Sequence, residues 1–154
     1  MGLRRGGRDV VQAEHLAYLE SARSQLRDAE RAFKDKSYAS CSFFSAQSAE
    51  NATSALILVL GAKPSKKHRN SLVLARLLPS LSEADRRDVA KIIERMKGLE
   101  VHVTRARYPV RKGIHLVPPV KYYTEEMARE SLGSASLTLG LVEGLLSRLG
   151  FPTG

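Results

Sequence analysis

The residues that could do chemistry in this chain are concentrated in one acid-free segment, residues 104–123. Guanidinium and ammonium groups bind phosphate oxygens, and arginine does so through two parallel hydrogen bonds. A tyrosine ring can stack on a nucleobase. These residue types indicate a site for nucleotide or RNA phosphates, and the candidates in the segment are Arg105, Arg107, Tyr108, Arg111, Lys112 and His115.

Two further segments, residues 1–8 and 61–70, are also basic and free of acidic residues. The three segments together hold nearly half of the 25 Lys and Arg residues and none of the 16 Asp and Glu residues. They therefore account for the whole net charge of +9. Such an excess attracts nucleic acid, nucleotides, an anionic membrane or an acidic protein. The second segment adds Lys66, Lys67, His68 and Arg69 to the candidate phosphate site.

Two of these candidates have structural alternatives. Tyr108 precedes Pro109, so its backbone is extended, and its ring either stacks on a base or closes the end of the core near Tyr122 and Tyr123. His68 either contacts a phosphate or hydrogen-bonds the neighbouring turn and fixes the loop. Both alternatives stay open from the sequence alone.

The elements that must position these residues are helices, because apolar residues recur at three- and four-residue intervals. The predicted fold is all-α, an up-and-down bundle of four long helices and one short helix, with the long basic loop 104–123 before the last helix. Residues 1–154 form one domain in which residues 1–8 are a basic arm. The helices are predicted over residues 9–33, 38–60, 69–78, 82–103 and 124–149.

The second helix is rich in Ala and Ser, which predicts a central position surrounded by other helices. Gly133, Gly140 and Gly144 lie inside the last helix and cost about 1 kcal/mol each relative to alanine. Close packing against the second helix or against another subunit would explain them. The glycine-bearing face is therefore the candidate interface of a homodimer.

Short connections make successive helices antiparallel neighbours. If all the helices alternate in direction, the N-terminal arm, the loop after the second helix and the loop after the fourth share one end of the bundle. The sequence thus predicts a single cationic end built from all three basic segments.

Other features exclude several classes of protein. Cys41 is the only cysteine, so the chain forms no internal disulfide. The longest apolar run is too short to span a bilayer, and the N-terminus lacks the apolar core of a secretory signal. We therefore expect a cytoplasmic protein with no membrane partner. No carboxylate cluster or glycine-rich phosphate loop suggests a metal or a cofactor.

Three motifs in order make the chain resemble the HEPN domain family. They are the Ala-rich second helix SAQSAENATSALILVLGAKP, the histidine that opens a short Leu-rich helix in KKHRNSLVLARLLP, and the tripeptide RYP in TRARYP. The resemblance covers roughly residues 9–149. It implies a helical bundle, usually dimeric, that binds nucleotide or RNA and often has a small nucleotidyltransferase as its partner.

Other members of the family are metal-independent ribonucleases with an arginine followed, after four to six residues, by a histidine. Arg95 and His102 are separated by six residues and are the candidate catalytic pair. Met96 stands where those enzymes usually have a polar residue, and the simpler interpretation is that both residues are surface side chains of a helix.

The leading hypothesis is a nucleotide- or RNA-binding module rather than an enzyme. The alternatives are a toxin-like metal-independent endoribonuclease that uses Arg95 and His102, and a structural dimer whose basic loops meet an acidic protein.

Overall fold

The chain forms an all-α bundle, confirming the predicted fold class. The structure is a computed structural model that describes the backbone of residues 2–154 and the side chains of residues 14–154. Its elements in chain order are α1 (Gly2–Lys34), α2 (Tyr38–Val59), α3 (Asn70–Leu77) with a 3-10 turn at Leu78–Ser80, α4 (Glu83–Glu100), α5 (His102–Arg105), β1 (Val110–Lys112), β2 (His115–Val117), α6 (Pro119–Tyr122) and α7 (Glu125–Arg148).

The central helix is α2, as its composition predicts. Its Ala and Ser side chains are buried on most sides, and they allow other helices to approach closely. Ser48 donates a hydrogen bond from Oγ to the carbonyl oxygen of Ala22 in α1, at 2.7 Å. Ser42 donates from Oγ to Ser131 Oγ in α7, at 3.0 Å. Small polar side chains thus join α1 and α7 to the middle of the bundle.

The apolar stripe of α4 completes the core. Its members recur at helical spacing, so they lie on one face and pack together with residues of α1, α2 and α7. All are buried, and they are Val89, Ile92, Ile93, Met96, Leu99 and, just beyond the helix, Val103.

Side chains cap the starts of two helices. Ser82 Oγ accepts a hydrogen bond from the backbone N–H of Asp85 at the start of α4, and Thr124 Oγ1 accepts one from Met127 at the start of α7. These bonds satisfy donors that a helix N-terminus leaves unpaired. Gly61 follows the end of α2 with φ +87°, a conformation that glycine adopts without strain.

The direction of α4 is fixed by contacts at both of its ends. Near its start, Asp85 and Asp88 accept hydrogen bonds from Arg148 at the end of α7. Just after its end, the ring of His102 bonds to the hydroxyl of Tyr123, which precedes α7. The helices α4 and α7 are therefore antiparallel.

The connection between α2 and α3 departs from the predicted alternation of helices. Asn70, the first residue of α3, bonds to Glu50, Thr53 and Ser54 in the middle of α2. Residues 60–69 therefore run back alongside α2, from its C-terminal end to the level of Glu50. Helix α3 then runs in the same direction as α2. The prediction of strict alternation is wrong here because residues 60–69 are not a tight turn; ten residues can span roughly 30 Å.

This path places the loop before α7 at the end of the bundle where α1 turns into α2. Val120 lines a shallow pocket there together with Lys36, Ser37 and Tyr38. By contrast, His15 lies on α1 towards its N-terminus and contacts the carbonyl oxygen of Pro152 after α7, at 2.7 Å. These contacts mark the two opposite ends of the bundle.

The predicted single cationic end is therefore wrong. The backbone of residues 2–8 belongs to α1 rather than to a separate arm, and it lies on the His15 side of the bundle. The side chains of Arg4, Arg5 and Arg8 lie outside the described residues. Segment 104–123 lies at the other end of α1.

The basic loop itself contains regular structure that the sequence does not predict. Strands β1 and β2 form an antiparallel hairpin in which Lys112 pairs with His115. Gly113, with φ +60°, occupies the turn between them, and this backbone conformation favours glycine. The adjacent prolines Pro118 and Pro119 do not interrupt the hairpin, because they lie just outside the strands, at the start of α6.

The three glycines of α7 face outward. A Cβ atom added at Gly133, Gly140 or Gly144 would meet nothing within 4 Å. Packing against α2 is therefore not the reason for these glycines, and this part of the prediction is wrong. The exposed side chain of Leu137 lies on the same helix, between the first two.

The lone Cys41 is buried between α1, α2 and α7. Burial raises the pKa of its thiol to about 11. Its thiol is therefore protonated near neutral pH and is a poor nucleophile. None of the helices in the described part of the chain combines the length and hydrophobicity that a bilayer-spanning segment needs.

Candidate functional site

One of the three basic segments, residues 61–70, forms a cleft together with the C-terminal end of α4 and the start of α5. The cleft has a volume of about 280 Å³. One wall is the loop before α3 and the other is the last turn of α4 with the start of α5. Its lining residues are Lys67, His68, Arg69, Lys97, Glu100, Val101, Val103 and Thr104. We call it the cationic cleft.

Buried Asn70 holds the loop wall of the cationic cleft in place. Its side-chain nitrogen donates to the carbonyl oxygen of Glu50 and to the hydroxyls of Thr53 and Ser54, at 2.9 to 3.1 Å. Its side-chain oxygen accepts from the backbone N–H of Ser65, at 2.9 Å. One amide therefore ties the loop to α2, and the three basic residues that follow Lys66 are positioned by it.

His68 also fixes this loop. Its backbone has φ +59°, which is unusual for a residue with a side chain. Its Nδ1 lies 2.7 Å from a carboxylate oxygen of Glu50. The structure thus supports the alternative in which His68 anchors the loop, while the residue also lines the cationic cleft.

The charges of the cleft leave it open to an anion. Among the side chains of residues 14–154, Lys67, Arg69 and Lys97 form no ion pair. Glu100 is the acidic residue of the lining, and its two oxygens accept hydrogen bonds from the N–H and the hydroxyl of Ser71, at 2.9 and 2.8 Å. The carboxylate is therefore held by α3 rather than by the cations of the cleft.

Arg107 and Tyr108 have structural contacts of their own. Arg107 donates from Nε to the carbonyl oxygen of Val103 at 2.6 Å, and its guanidinium lies over the rings of Phe43 and Tyr108 at 5.4 and 5.5 Å. Tyr108 is 56% exposed, whereas Tyr123 is only 4% exposed. Thus Tyr123, and not Tyr108, closes this end of the core.

The remaining candidates of the basic loop lie on the exposed hairpin. Arg111 is in β1 and His115 is in β2. Lys112 extends over the ring of Tyr122 at 5.6 Å. None of these three lines the cationic cleft, so the structure divides the predicted phosphate site into a cleft and a separate hairpin. Lys66 and Arg105 are exposed, and in the sequence each adjoins a lining residue of the cleft, Lys67 and Thr104 respectively.

His102 lies in a different cavity, on the other side of α4. The cavity has a volume of about 220 Å³ and is lined by Gly98, Leu99, His102, Met127, Glu130, Ser131 and Ser134. We call it the α4–α7 cavity. The Nδ1 atom of His102 lies 2.6 Å from the hydroxyl oxygen of Tyr123.

The protonation states of this pair follow from burial. Desolvation, with a further contribution from the charge of Arg105, lowers the pKa of His102 from 6.5 to about 4. Desolvation raises the pKa of Tyr123 to about 12, partly opposed by Arg105. At neutral pH the imidazole is uncharged and the phenol is protonated.

Arg95 does not share the cavity of His102. It lines a groove of about 450 Å³ with Ala90, Lys91, Glu94 and Leu137. The structure therefore places the two candidate catalytic residues in different depressions of the surface. Within the described residues, no group of three or more His, Cys, Asp and Glu side chains is arranged to hold a metal ion.

The cationic cleft and the α4–α7 cavity each contain a residue that the sequence did not identify as a candidate. Lys97 lies four and seven residues before Val101 and Thr104, so helical periodicity alone places it on their face. Glu130 lines the cavity of His102 only because α4 and α7 pack side by side. No local signal in the sequence connects Glu130 with His102.

Comparison with known proteins identifies the fold. The HEPN domain family matches residues 15–145. The crystal structure of TT1696 from Thermus thermophilus superposes with a TM-score of 0.65 at 29% identity, covering 85% of this chain and 97% of that one. The crystal structure of ST0689, an archaeal HEPN homologue, gives 0.64 at 26% identity, covering 86% and 98%.

No curated protein matches the chain. The family match nevertheless spans well over half of the sequence, and it includes α2, α3, α4 and most of α7, which together build both sites. The chain belongs to the HEPN domain family.

Proposed function

We propose that the chain is a binding module whose cationic cleft receives the phosphates of a nucleotide or of RNA. The observation that carries the proposal is the meeting of Lys67, Arg69 and Lys97 around one cavity, with no ion pair to any of them from residues 14–154. Membership of the HEPN domain family supports the same class of ligand.

The physical basis is electrostatic. Cations that line a concave surface focus the field and raise the local concentration of anions. Arg69 can bind a phosphate through two parallel hydrogen bonds, whereas each lysine acts as a point charge. Exposed Arg105 and Lys66, which adjoin lining residues in the sequence, extend the positive potential towards the hairpin, where Arg111 can meet a longer ligand.

The salt dependence of RNA binding tests this function. We expect the affinity for a short single-stranded RNA to fall linearly with salt on logarithmic axes. A variant with Lys67, Arg69 and Lys97 all changed to Gln removes three phosphate contacts, so the slope becomes less steep by about two. Fluorescence anisotropy between low and moderate salt measures both slopes.

The matched control removes three cations that lie elsewhere, with Arg27, Arg76 and Lys91 changed to Gln. All three are exposed, so folding is preserved and the net charge falls equally. The control keeps the wild-type slope if the cleft binds the RNA. Equal slopes for the two triple variants would contradict the proposal, since only total charge would then matter.

The endoribonuclease alternative has less support. A histidine that exchanges protons during catalysis works best with a pKa near the working pH, whereas the pKa of His102 is lowered to about 4. Arg95 lies in another groove and would have to move to assist it. Cleavage of RNA in the presence of a chelator would revive this alternative.

Protein partners form the second part of the proposal. A small nucleotidyltransferase, or an acidic protein, would contact the hairpin and α6, where apolar side chains are exposed beside basic ones. The most exposed are Ile114, Leu116 and Val120, at 87%, 59% and 80%. A homodimer would use the outward glycine face of α7. Cytoplasmic location, where RNA and nucleotides are present, belongs to the same proposal.

A further inference from the structure

The α4–α7 cavity is polar and separate from the cationic cleft. Its walls carry an imidazole from α5, a carboxylate from α7 and two hydroxyls from α7. We propose that this cavity is a base-binding site selective for guanine, either in a free nucleotide or in RNA. The inference rests on the proposed function, because it names the base of the nucleotide or RNA that the protein binds.

The first requirement is a fixed hydrogen-bond donor, and the His102–Tyr123 pair supplies it. The hydroxyl of Tyr123 is buried, and its hydrogen needs an acceptor. Nδ1 of His102, 2.6 Å away, is that acceptor. A neutral imidazole that accepts at Nδ1 carries its hydrogen on Nε2. Since His102 lines the cavity and Tyr123 does not, Nε2–H is the donor available to a ligand.

The neutral state of the imidazole is stable across the physiological range. Desolvation and the nearby charge of Arg105 lower the pKa of His102 to about 4. The ring therefore keeps one donor and one acceptor near neutral pH, and the acceptor is used by Tyr123. The tautomer is set by a residue that does not touch the ligand.

The second requirement is an acceptor, which Glu130 provides. Glu130 lines the cavity, is exposed to solvent, and forms no ion pair within residues 14–154. The hydroxyl of Ser131 is already used, because it donates to the carbonyl oxygen of Met127 and accepts from Ser42. Glu130 is therefore the strong acceptor of the cavity, and Ser134 supplies a hydroxyl beside it.

These two groups select guanine among the bases. The Watson–Crick edge of guanine carries two adjacent N–H donors, at N1 and N2, which one carboxylate accepts together, and O6 accepts from an imidazole N–H. Adenine and cytosine present a ring nitrogen lone pair beside their amino group, and this lone pair faces the carboxylate unfavourably. Uracil offers a single N–H. Only guanine satisfies both oxygens of Glu130.

The size of the cavity agrees with a single base. Its volume of about 220 Å³ is below the roughly 300–1,000 Å³ of pockets for drug-sized ligands. Leu99 and Met127 provide apolar contacts for the faces of a ring. The cavity and the cationic cleft lie on two sides of the last turns of α4, so an RNA strand that crosses this helix can reach both.

Titration with guanosine and adenosine monophosphates tests the inference. Both probes carry the same phosphate, so a difference between them reports the base. We expect GMP to bind roughly tenfold more tightly than AMP, as a two-bond contact to one base edge allows. In Glu130→Gln the preference falls below threefold, because an amide cannot accept two hydrogen bonds side by side. Protein-observed NMR gives the dissociation constants and shows that the variant is folded.

Two further variants separate recognition from general effects. Glu126→Gln removes a carboxylate from the first turn of the same helix and keeps the tenfold preference. Tyr123→Phe removes the hydroxyl that fixes the tautomer of His102. The affinity for GMP therefore falls severalfold, while the affinity for AMP does not change. Equal affinities for GMP and AMP in the wild type would overturn the guanine site, and so would an unchanged preference in Glu130→Gln.

The RNA-binding experiment tests the cationic cleft independently of the guanine site. If RNA binding depends on salt and is lost in the triple cleft variant, the proposed function is supported. Equal affinities for GMP and AMP in the same protein would then remove only the guanine site. An RNA of nine adenines compared with one that has a central guanine distinguishes a base within RNA from a free nucleotide. A preference for the second RNA supports recognition within a strand.

Discussion

Replacing Asn70 by alanine is expected to lower the free energy of unfolding by about 3 kcal/mol. Asn70 is fully buried and makes four hydrogen bonds, one with Ser65 and three with Glu50, Thr53 and Ser54. Alanine removes these bonds, so the N–H of Ser65 and the buried hydroxyl of Ser54 lose their partner. Equilibrium denaturation followed by circular dichroism measures the change.

A surface amide provides the comparison. Asn51 is only half-buried, and its side chain bonds to that of Gln25. Asn51→Ala is therefore expected to cost less than about 1 kcal/mol. Similar losses in both variants would mean that Asn70 does not hold the loop. The Asn70 variant should also bind RNA more weakly, because the loop carries Lys67 and Arg69.

The second large effect is a loss of folding stability at acidic pH, caused by the protonation of His102. Unfolded His102 binds a proton near pH 6.5, whereas the folded protein binds it only near pH 4. Between these values the unfolded state holds more protons, so stability decreases as the pH falls. The contribution of His102 is complete above pH 6.5 and decreases by up to about 3 kcal/mol as the pH approaches 4.

Comparison with His102→Gln isolates this contribution from that of the carboxylates, which titrate in the same range. We expect wild type to lose up to about 3 kcal/mol more than the variant between pH 7 and pH 4. Denaturation at a series of pH values gives the difference. The control His115→Gln changes an exposed imidazole on the hairpin and should follow wild type. A His102→Gln profile parallel to that of wild type would show that the imidazole is not buried in its neutral form.

Much of the fold could be predicted because its signals are local. The spacing of Val89, Ile92 and Met96 gives the buried face of α4, and the side chains of Ser82 and Thr124 give the starts of two helices. The central position of α2 follows from its small residues. Each of these inferences depends on neighbours within a few positions along the chain.

The path of the chain could not be predicted in the same way. Whether residues 60–69 form a tight turn or run back along α2 depends on where Asn70 finds its partners in α2, which lie sixteen to twenty residues earlier. This single choice moves the basic loop to the other end of the bundle. The rule that short connections join antiparallel helices fails here, because buried Asn70 anchors a longer connection along α2.

The candidate site was only partly visible for a similar reason. Lys67 and Arg69 stand out by composition, and they meet Lys97 only in the folded chain. Arg107 is predicted to bind phosphate, and the fold adds contacts with Phe43 and with the carbonyl oxygen of Val103 that the sequence does not reveal. The sequence identifies which residues carry charge, while the packing of α3 against α4 decides which charges share a surface.

Mapping where RNA binds tests the role of the cationic cleft most directly. Amide chemical shifts are recorded by NMR while a short single-stranded RNA is added at low salt. We predict the largest changes at residues 67–69 and 97–104, the two walls of the cationic cleft, and smaller ones on the hairpin. Changes confined to residues 110–117, with none at either wall, would contradict the claim that the cleft binds the phosphates.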